Sequence, residues 1–420
     1  MKTKYLYLVI ALVATVTFGC KKANIDVDTT PDPTNTGSLH GEVSGIWPKG
    51  SVQRVSGDII VPEGKTLVIE EGVLVIMDTT AKPEVIVKGD LYSMGTAENP
   101  VRFTIEENYR NESKKFGKQW GGILAAPTCN ELLLDNTIVE YGGATTTESS
   151  TSVKMGLYKA VSGENTPAIW FSNVNGKLVV TNSIFRNFQD DCTYIEGGKI
   201  IFSYNKFYTT GLTGGEGINI KSGCLADVSY NLFFATNTNA LKLSNAGDRV
   251  PQAHVVAYNN TIVNTGWRRP TVKGGSVWLE ATVYVELYNN LFANARFGIK
   301  RDTKKPEDKR SVFSHNLYYG YDQATVDQFQ PVSDIVGGTN DVIGKKAGDN
   351  NPLFMSYPVN NATSSPDFNS SWDFRLQAGS PALGAGTTAF TRNFPNGLEI
   401  KGINYPSPAP APYIGAFGSK

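Results

Sequence analysis

One short phrase returns along this chain: DNTIVEYGG (135–143), TNSIFRNF (181–188), YNKFYTTG (204–211), YNLFFATN (230–237), YNNTIVNTG (258–266), YNNLFANARFG (288–298) and HNLYYGYD (315–322). The asparagines Asn182, Asn205, Asn231, Asn260, Asn290 and Asn316 follow one another at 23, 26, 29, 30 and 26 residues. Asn136 precedes Asn182 by 46, which reads as two units with an inserted loop. Between the phrases lie short β-branched and aromatic runs such as KLVV (177–180), KIIF (199–202), GINIK (217–221), HVVAY (254–258) and VYVELY (283–288), bounded by Gly, Asn and Asp. Strands this short cannot bury a face alone, so units of this length become stable by stacking into an all-β parallel solenoid. At a strand spacing of about 4.8 Å the recurring asparagine falls above itself, and its amide both donates to and accepts from its neighbour, forming a ladder inside the turn.

The earlier stretch SGDIIVPEGKTLVIEEGVLVIMDTTAKPEVIVKGDLYSMGTAENPVRFTIEE (56–107) has tighter strand and turn units, and QWGGILAAPT (119–128) fits a following rung. It resembles the opening of right-handed parallel β-helix lipoproteins of the Bacteroidetes type, within the pectin-lyase-like superfamily. NPLFMSY (351–357), DFRLQAGSPALGAG (373–386) and PYIGAF (412–417) look like the closing segment of such proteins. The resemblance implies a β-helix over residues 39–420, with tight coils to about residue 130 and an irregular closing segment from about residue 320. Such a scaffold hosts lyases, hydrolases, esterases, adhesins and binding proteins, so the fold assigns no activity.

The N-terminus, MKTKYLYLVIALVATVTFGC, has Lys2 and Lys4, an apolar run and then Gly19-Cys20. It reads as an export signal too short to span a bilayer. Its end resembles a bacterial lipoprotein box, which implies cleavage after residue 19 and acyl chains on Cys20. The polar residues that follow, to residue 38, read as a flexible tether. The expected location is therefore the outer membrane, on the cell surface or the periplasmic face, with the membrane as a partner through the lipid. Lys+Arg and Asp+Glu both number 39, so the formal charge is zero and nucleic acid is not an expected partner. Cys129, Cys192 and Cys224 are an odd set and read as small core residues, with room for one disulfide. His40, His254 and His315 are too scattered for a metal centre or a triad.

Two constellations carry candidate chemistry. Gln189-Asp190-Asp191-Cys192 is followed, about one coil later, by Gly214-Gly215-Glu216-Gly217-Ile218. The pair resembles the QDDC and GGHG segments of polygalacturonase-type glycoside hydrolases, with Glu216 in place of the histidine. By that resemblance Asp190 or Asp191 protonates the glycosidic oxygen while the other activates water, as inverting hydrolysis requires. The family's Asn-Thr-Asp has no counterpart in TPAIWFSNVNG (166–176), and no Arg-x-Lys follows at a matching site. The non-catalytic alternative is a pair of turn acids that bind backbone N–H groups. No cofactor is expected; calcium is the one ion such oxygen-rich turns would suit, with Asp190, Asp191 and Glu216 as ligands.

The second constellation is basic. GWRRPTVKGG (266–275) brings Trp267, Arg268, Arg269 and Lys273, and ARFGIKRDTKKPEDKR (295–310) brings Arg296, Phe297, Lys300 and Arg301. Each follows its asparagine phrase by a similar offset, so stacking predicts adjacent clusters on one edge. Arginine matches uronate carboxylates, and Trp267 or Phe297 suits a sugar face. An eliminative mechanism would use Lys300 or Arg301 as base. Solvated loop charges balanced by Asp302, Glu307 and Asp308 are the bland alternative. These readings order the functions: a polysaccharide-binding envelope protein first, a polysaccharide-cleaving enzyme second, a purely structural or adhesin-like protein third.

Overall fold

The computed structural model describes residues 38–212, 214–269, 275–360 and 365–419. Cys20, the export signal and Lys273 lie outside them. Among the described residues no helix is long and apolar enough to cross a membrane.

Short strands stack in parallel register into a three-faced β-solenoid. The second face is a separate sheet of ten strands, all in parallel pairs, with Lys177–Thr181, Gly198–Ser203 and Cys224–Ser229 at its middle. The first and third faces join through the long strand Val52–Val61 into one 21-stranded sheet. The first face carries strands of three or four residues, among them Ile169–Phe171, Thr193–Ile195, Ile218–Ile220, Leu241–Ser244, Val277–Glu280 and Ile299–Arg301. The strand Ile335–Val336 closes this face antiparallel to Ile299–Arg301.

Side chains alternate across each strand, so one set fills the solenoid and the other faces out. Inside, like stacks on like: Phe185, Phe207 and Phe233 lie in one column with ring centroids 5.0 and 4.8 Å apart and planes tilted by 10°. Those separations match the rung spacing, so each rung adds apolar burial and an offset ring contact. The three cysteines are free and buried.

The asparagine ladder is present from Asn205 to Asn316. Asn231 is typical: its Nδ2 donates to Phe202 O (3.1 Å) and Asn260 Oδ1 (3.0 Å), while its Oδ1 accepts from N and Nδ2 of Asn205 (both 3.0 Å). Asp341 ends the column by accepting from N (2.8 Å) and Nδ2 (3.1 Å) of Asn316. Asn182 and Asn136 do not belong to it. At those rungs the column is continued by Ser183, whose N donates to Asn205 Oδ1, and by Thr137, whose N donates to Ser183 Oγ. Asn136 and Asn182 stand one residue earlier, level with Tyr204, Tyr230, Asn259, Asn289 and His315, where φ lies between 46° and 60°. Asparagine is favoured there because it tolerates the left-handed region. The 46-residue interval is likewise a single rung, since Glu131–Asp135 pairs directly with Lys177–Thr181. The additional length is an excursion, residues 144–166, that includes a short helix at Thr151–Lys154.

The C-terminal segment does more than close the end. The helix Gln323–Asp327 and Phe329, whose ring meets Tyr318 at 5.5 Å, sit over the last rungs. The chain then returns along the outside. Phe354, Tyr357 and Phe374 cover Tyr208, Phe234, Val263 and Ala293 on the third face. Phe394, Leu398 and Ile400 cover Val68, Tyr92, Leu133, Val179 and Ile201 on the second. Asp227, fully buried, anchors this return by accepting from Asn393 N (2.9 Å), Phe394 N (2.8 Å) and Ser407 Oγ (2.6 Å). On the first face the early rungs are covered, where Leu157 and Tyr158 of the excursion pack on Ile86, Leu124 and Trp170.

Candidate functional site

The uncovered part of the first face begins at the corner that holds the acids. Asp190 and Asp191 occupy the turn between Ile184–Phe188 and Thr193–Ile195, and Glu216 occupies the same corner one rung later. Backbone pairing fixes the match, with Cys192 N donating to Glu216 O at 2.8 Å. The chain bends at the two aspartates, so adjacent residues serve one site. Glycine permits the fit: a Cβ on Gly214 would fall 1.6 Å from Asp190 Oδ1. Asp190, Asp191 and Glu216 each present an oxygen within 4.8 Å of the others.

Their environments differ. Asp191 Oδ1 accepts from the main-chain N of Gly215 (3.2 Å) and Glu216 (3.0 Å), and Oδ2 accepts from Asn219 Nδ2 (3.0 Å). Burial pushes its carboxyl up, but hydrogen bonds from the Glu216 carboxyl, the Glu216 N–H and Asn219 outweigh it and hold Asp191 below the usual range. Glu216 is driven well above its ordinary value by burial and by the Asp191 charge beside it, against a weaker pull from Lys242, 3.8 Å away. Asp190 is raised to about 6 by burial and by Asp191, opposed by Asn165 Nδ2 at 3.1 Å. The trio thus sets a carboxyl held toward its protonated form, Glu216, beside one held toward its ionised form, Asp191. Three oxygens is about half of the six to eight that calcium takes, and three N–H donors already occupy Asp191.

From Glu216 a groove of about 680 Å³ runs along the first face. Its floor is a register file of outward side chains, Lys242, Trp278 and Lys300, one per rung, and buried Asn219 continues the file one rung earlier. Trp278 Nε1 donates to Glu280 Oε2 at 2.8 Å, and Lys221 lies 3.7 Å from Glu280. Burial and the nearby Lys242 lower the Lys221 ammonium.

The expected basic clusters do lie side by side, since Arg296 Nη1 donates to Arg269 O at 2.7 Å. They divide in role. Arg269, Lys300 and Arg301 line the groove; Lys300 pairs with Asp334 (3.2 Å) and Arg301 with Glu307 (2.6 Å). Arg268 is turned inward, donating to Gly211 O, Thr210 O and Ala235 O, with its guanidinium 5.1 Å from the Phe116 ring. It ties corners together, and burial lowers its guanidinium to about 10. Trp267 bonds Asn294 O (2.6 Å), and Phe297 lies 3.9 Å beneath the Lys300 ammonium. Asn165, Asn219, Lys221, Lys242, Trp278 and Glu280 were not legible as site residues. Asn219, Lys242 and Trp278 carry one signal, a polar or large residue between two apolar ones in a strand of three or four residues, as in Leu241-Lys242-Leu243 and Val277-Trp278-Leu279.

No protein-family model matches this sequence, and no curated protein matches it.

Proposed function

We propose that this protein is an envelope-tethered enzyme, anchored through Cys20, that cleaves an anionic polysaccharide held in the groove of the first face. The observation that carries the reading is the convergence of Asp190, Asp191 and Glu216 within 4.8 Å of one another, with Glu216 lining that groove. Glycoside hydrolysis needs one carboxyl protonated and one ionised at the working pH. Glu216, held toward its protonated form by burial and by Asp191 and lining the groove, is the proton donor to the leaving oxygen. Asp190 is the base that activates water. Asp191 is a positioning residue whose negative charge keeps the proton on Glu216. Lys242, Arg269 and Arg301 supply positive charge for the substrate, and Trp278 supplies an aromatic surface.

A second reading, binding without cleavage, is favoured by the three N–H donors on Asp191, which also describe a turn acid. Incubation with anionic polysaccharides separates the two. Hydrolysis releases new reducing ends, lost in Glu216→Gln and in Asp190→Asn. The rate should rise as pH passes about 6, where Asp190 ionises. Retention of glycan with no new ends, in the unaltered protein, would leave the binding reading standing and end the hydrolytic one.

A further inference from the structure

The floor of the groove has a period. Lys242 pairs with Trp278, and Trp278 with Lys300, so a cation, an aromatic ring and a second cation occupy three successive rungs of one outward file. Strands stack about 4.8 Å apart, which puts the two ammonium-bearing rungs roughly 9.6 Å from each other. An extended disaccharide has closely this length, and a single sugar closely one rung.

The middle rung is not a neutral gap. The Trp278 indole N–H is fixed on Glu280, and Lys221 lies 3.7 Å from Glu280, so this step of the groove sets an aromatic ring beside a carboxylate. A sugar carboxylate over Trp278 would face Glu280 across the floor, with like charges opposed. A sugar without a charge could stack on the ring and leave Glu280 with its present partners. The flanking rungs each carry an ammonium with one acid partner, Lys242 3.8 Å from Glu216 and Lys300 3.2 Å from Asp334, and Arg301 follows Lys300 on the groove wall. Arg269 stands on the wall of the groove and has partners of its own.

We infer that the groove selects an acidic polysaccharide of alternating composition, with a uronic acid on every second sugar, over a polymer with a uronic acid on every sugar. This rests on the proposed glycan-cleaving function and specifies its substrate class. One uronate lies over Lys242 next to the acids, an uncharged sugar stacks on Trp278, and a second uronate lies over Lys300.

The test uses three hexasaccharides on the full protein carrying Glu216→Gln, so that binding is read without cleavage: a hyaluronan hexamer (alternating), an oligogalacturonate hexamer (charged throughout) and xylohexaose (neutral). The alternating probe should bind at least about tenfold more tightly than the fully charged one. Trp278→Ala should remove most of that preference, and Trp278→Phe, which keeps a ring, should restore it. Equal or tighter binding of oligogalacturonate overturns the inference while leaving anionic-glycan recognition intact. Binding of neither charged probe, together with no cleavage of anionic polymers by the unaltered protein, overturns the broader reading as well.

Discussion

Replacing Asn260 by alanine removes four hydrogen bonds from the centre of the solenoid. Its Nδ2 donates to Val228 O and Asn290 Oδ1, both at 2.9 Å, and its Oδ1 accepts from N and Nδ2 of Asn231, both at 3.0 Å. Asn260 is fully buried, so no bulk water stands by to replace it. The main-chain N–H of Asn231 loses its acceptor, and so does one of that residue's amide hydrogens. Each stranded buried donor costs about 1–3 kcal/mol, which puts the variant about 2–6 kcal/mol below the parent. Urea unfolding followed by tryptophan fluorescence measures the loss, and hydrogen exchange at the Asn231 amide locates it. The control is Asn182→Gly, which retains a residue suited to positive φ at a site outside the ladder. If Asn260→Ala falls within about 0.5 kcal/mol of that control, with the Asn231 amide still protected, the ladder is not a stabilising element and the argument from stranded donors is wrong.

Glu140 is buried between Arg102 and Arg186 and also accepts from Thr104 Oγ1, so Glu140→Gln should cost about 3–5 kcal/mol in the same urea titration by leaving two guanidinium groups without their counter-charge. Burial pushes this carboxyl up, but the two arginines outweigh it and hold it below the ordinary glutamate value. Its contribution is therefore present above the unfolded-state value and lost as pH falls through the lower folded one, a step that Glu140→Gln should abolish from a pH series of melts. Asp227→Ala strands the N–H groups of Asn393 and Phe394, and limited proteolysis should then cut within the returning segment well before the rungs open. A Cβ on Gly122 would lie 1.8 Å from Pro167 O on the next rung, so Gly122→Ala should lower the thermal midpoint far more than Gly64→Ala, whose Cβ would meet nothing within 4 Å and whose cost is that of its positive φ of 70° alone.

The solenoid was legible because its repeat is written in one residue type at nearly constant spacing. The misplacement of Asn136 and Asn182 has a physical origin. Asparagine is selected at two neighbouring positions for unrelated reasons, amide stacking at one and positive φ at the other, and the letter alone does not say which. Interval length misled in the same way at residues 144–166, where an excursion on one rung has the length of a second rung. The acid cluster was legible as two segments about one coil apart, and rung pairing is what brings them together. The groove floor was not, because strands of three or four residues are too short to display alternation. Lys242 and Trp278 become a row only when the register of separate strands is known. Arg268 looked like a surface charge beside Arg269, yet carbonyls of two other rungs claim it.

The returning segment gives the molecule an order of assembly. Lys401 N meets Glu131 Oε2 and Lys177 Nζ meets Glu399 O, contacts separated by 270 and 222 residues along the chain. A ribosome makes Val68, Tyr92, Leu133, Val179 and Ile201 long before the Phe394, Leu398 and Ile400 that cover them. Rungs can stack as they emerge, each on the one before, but the outer face of the second sheet stays apolar and bare until the last segment arrives. Synthesis therefore passes through a nearly complete solenoid with one sticky side, and a chain truncated before residue 390 would remain at that stage and self-associate through it.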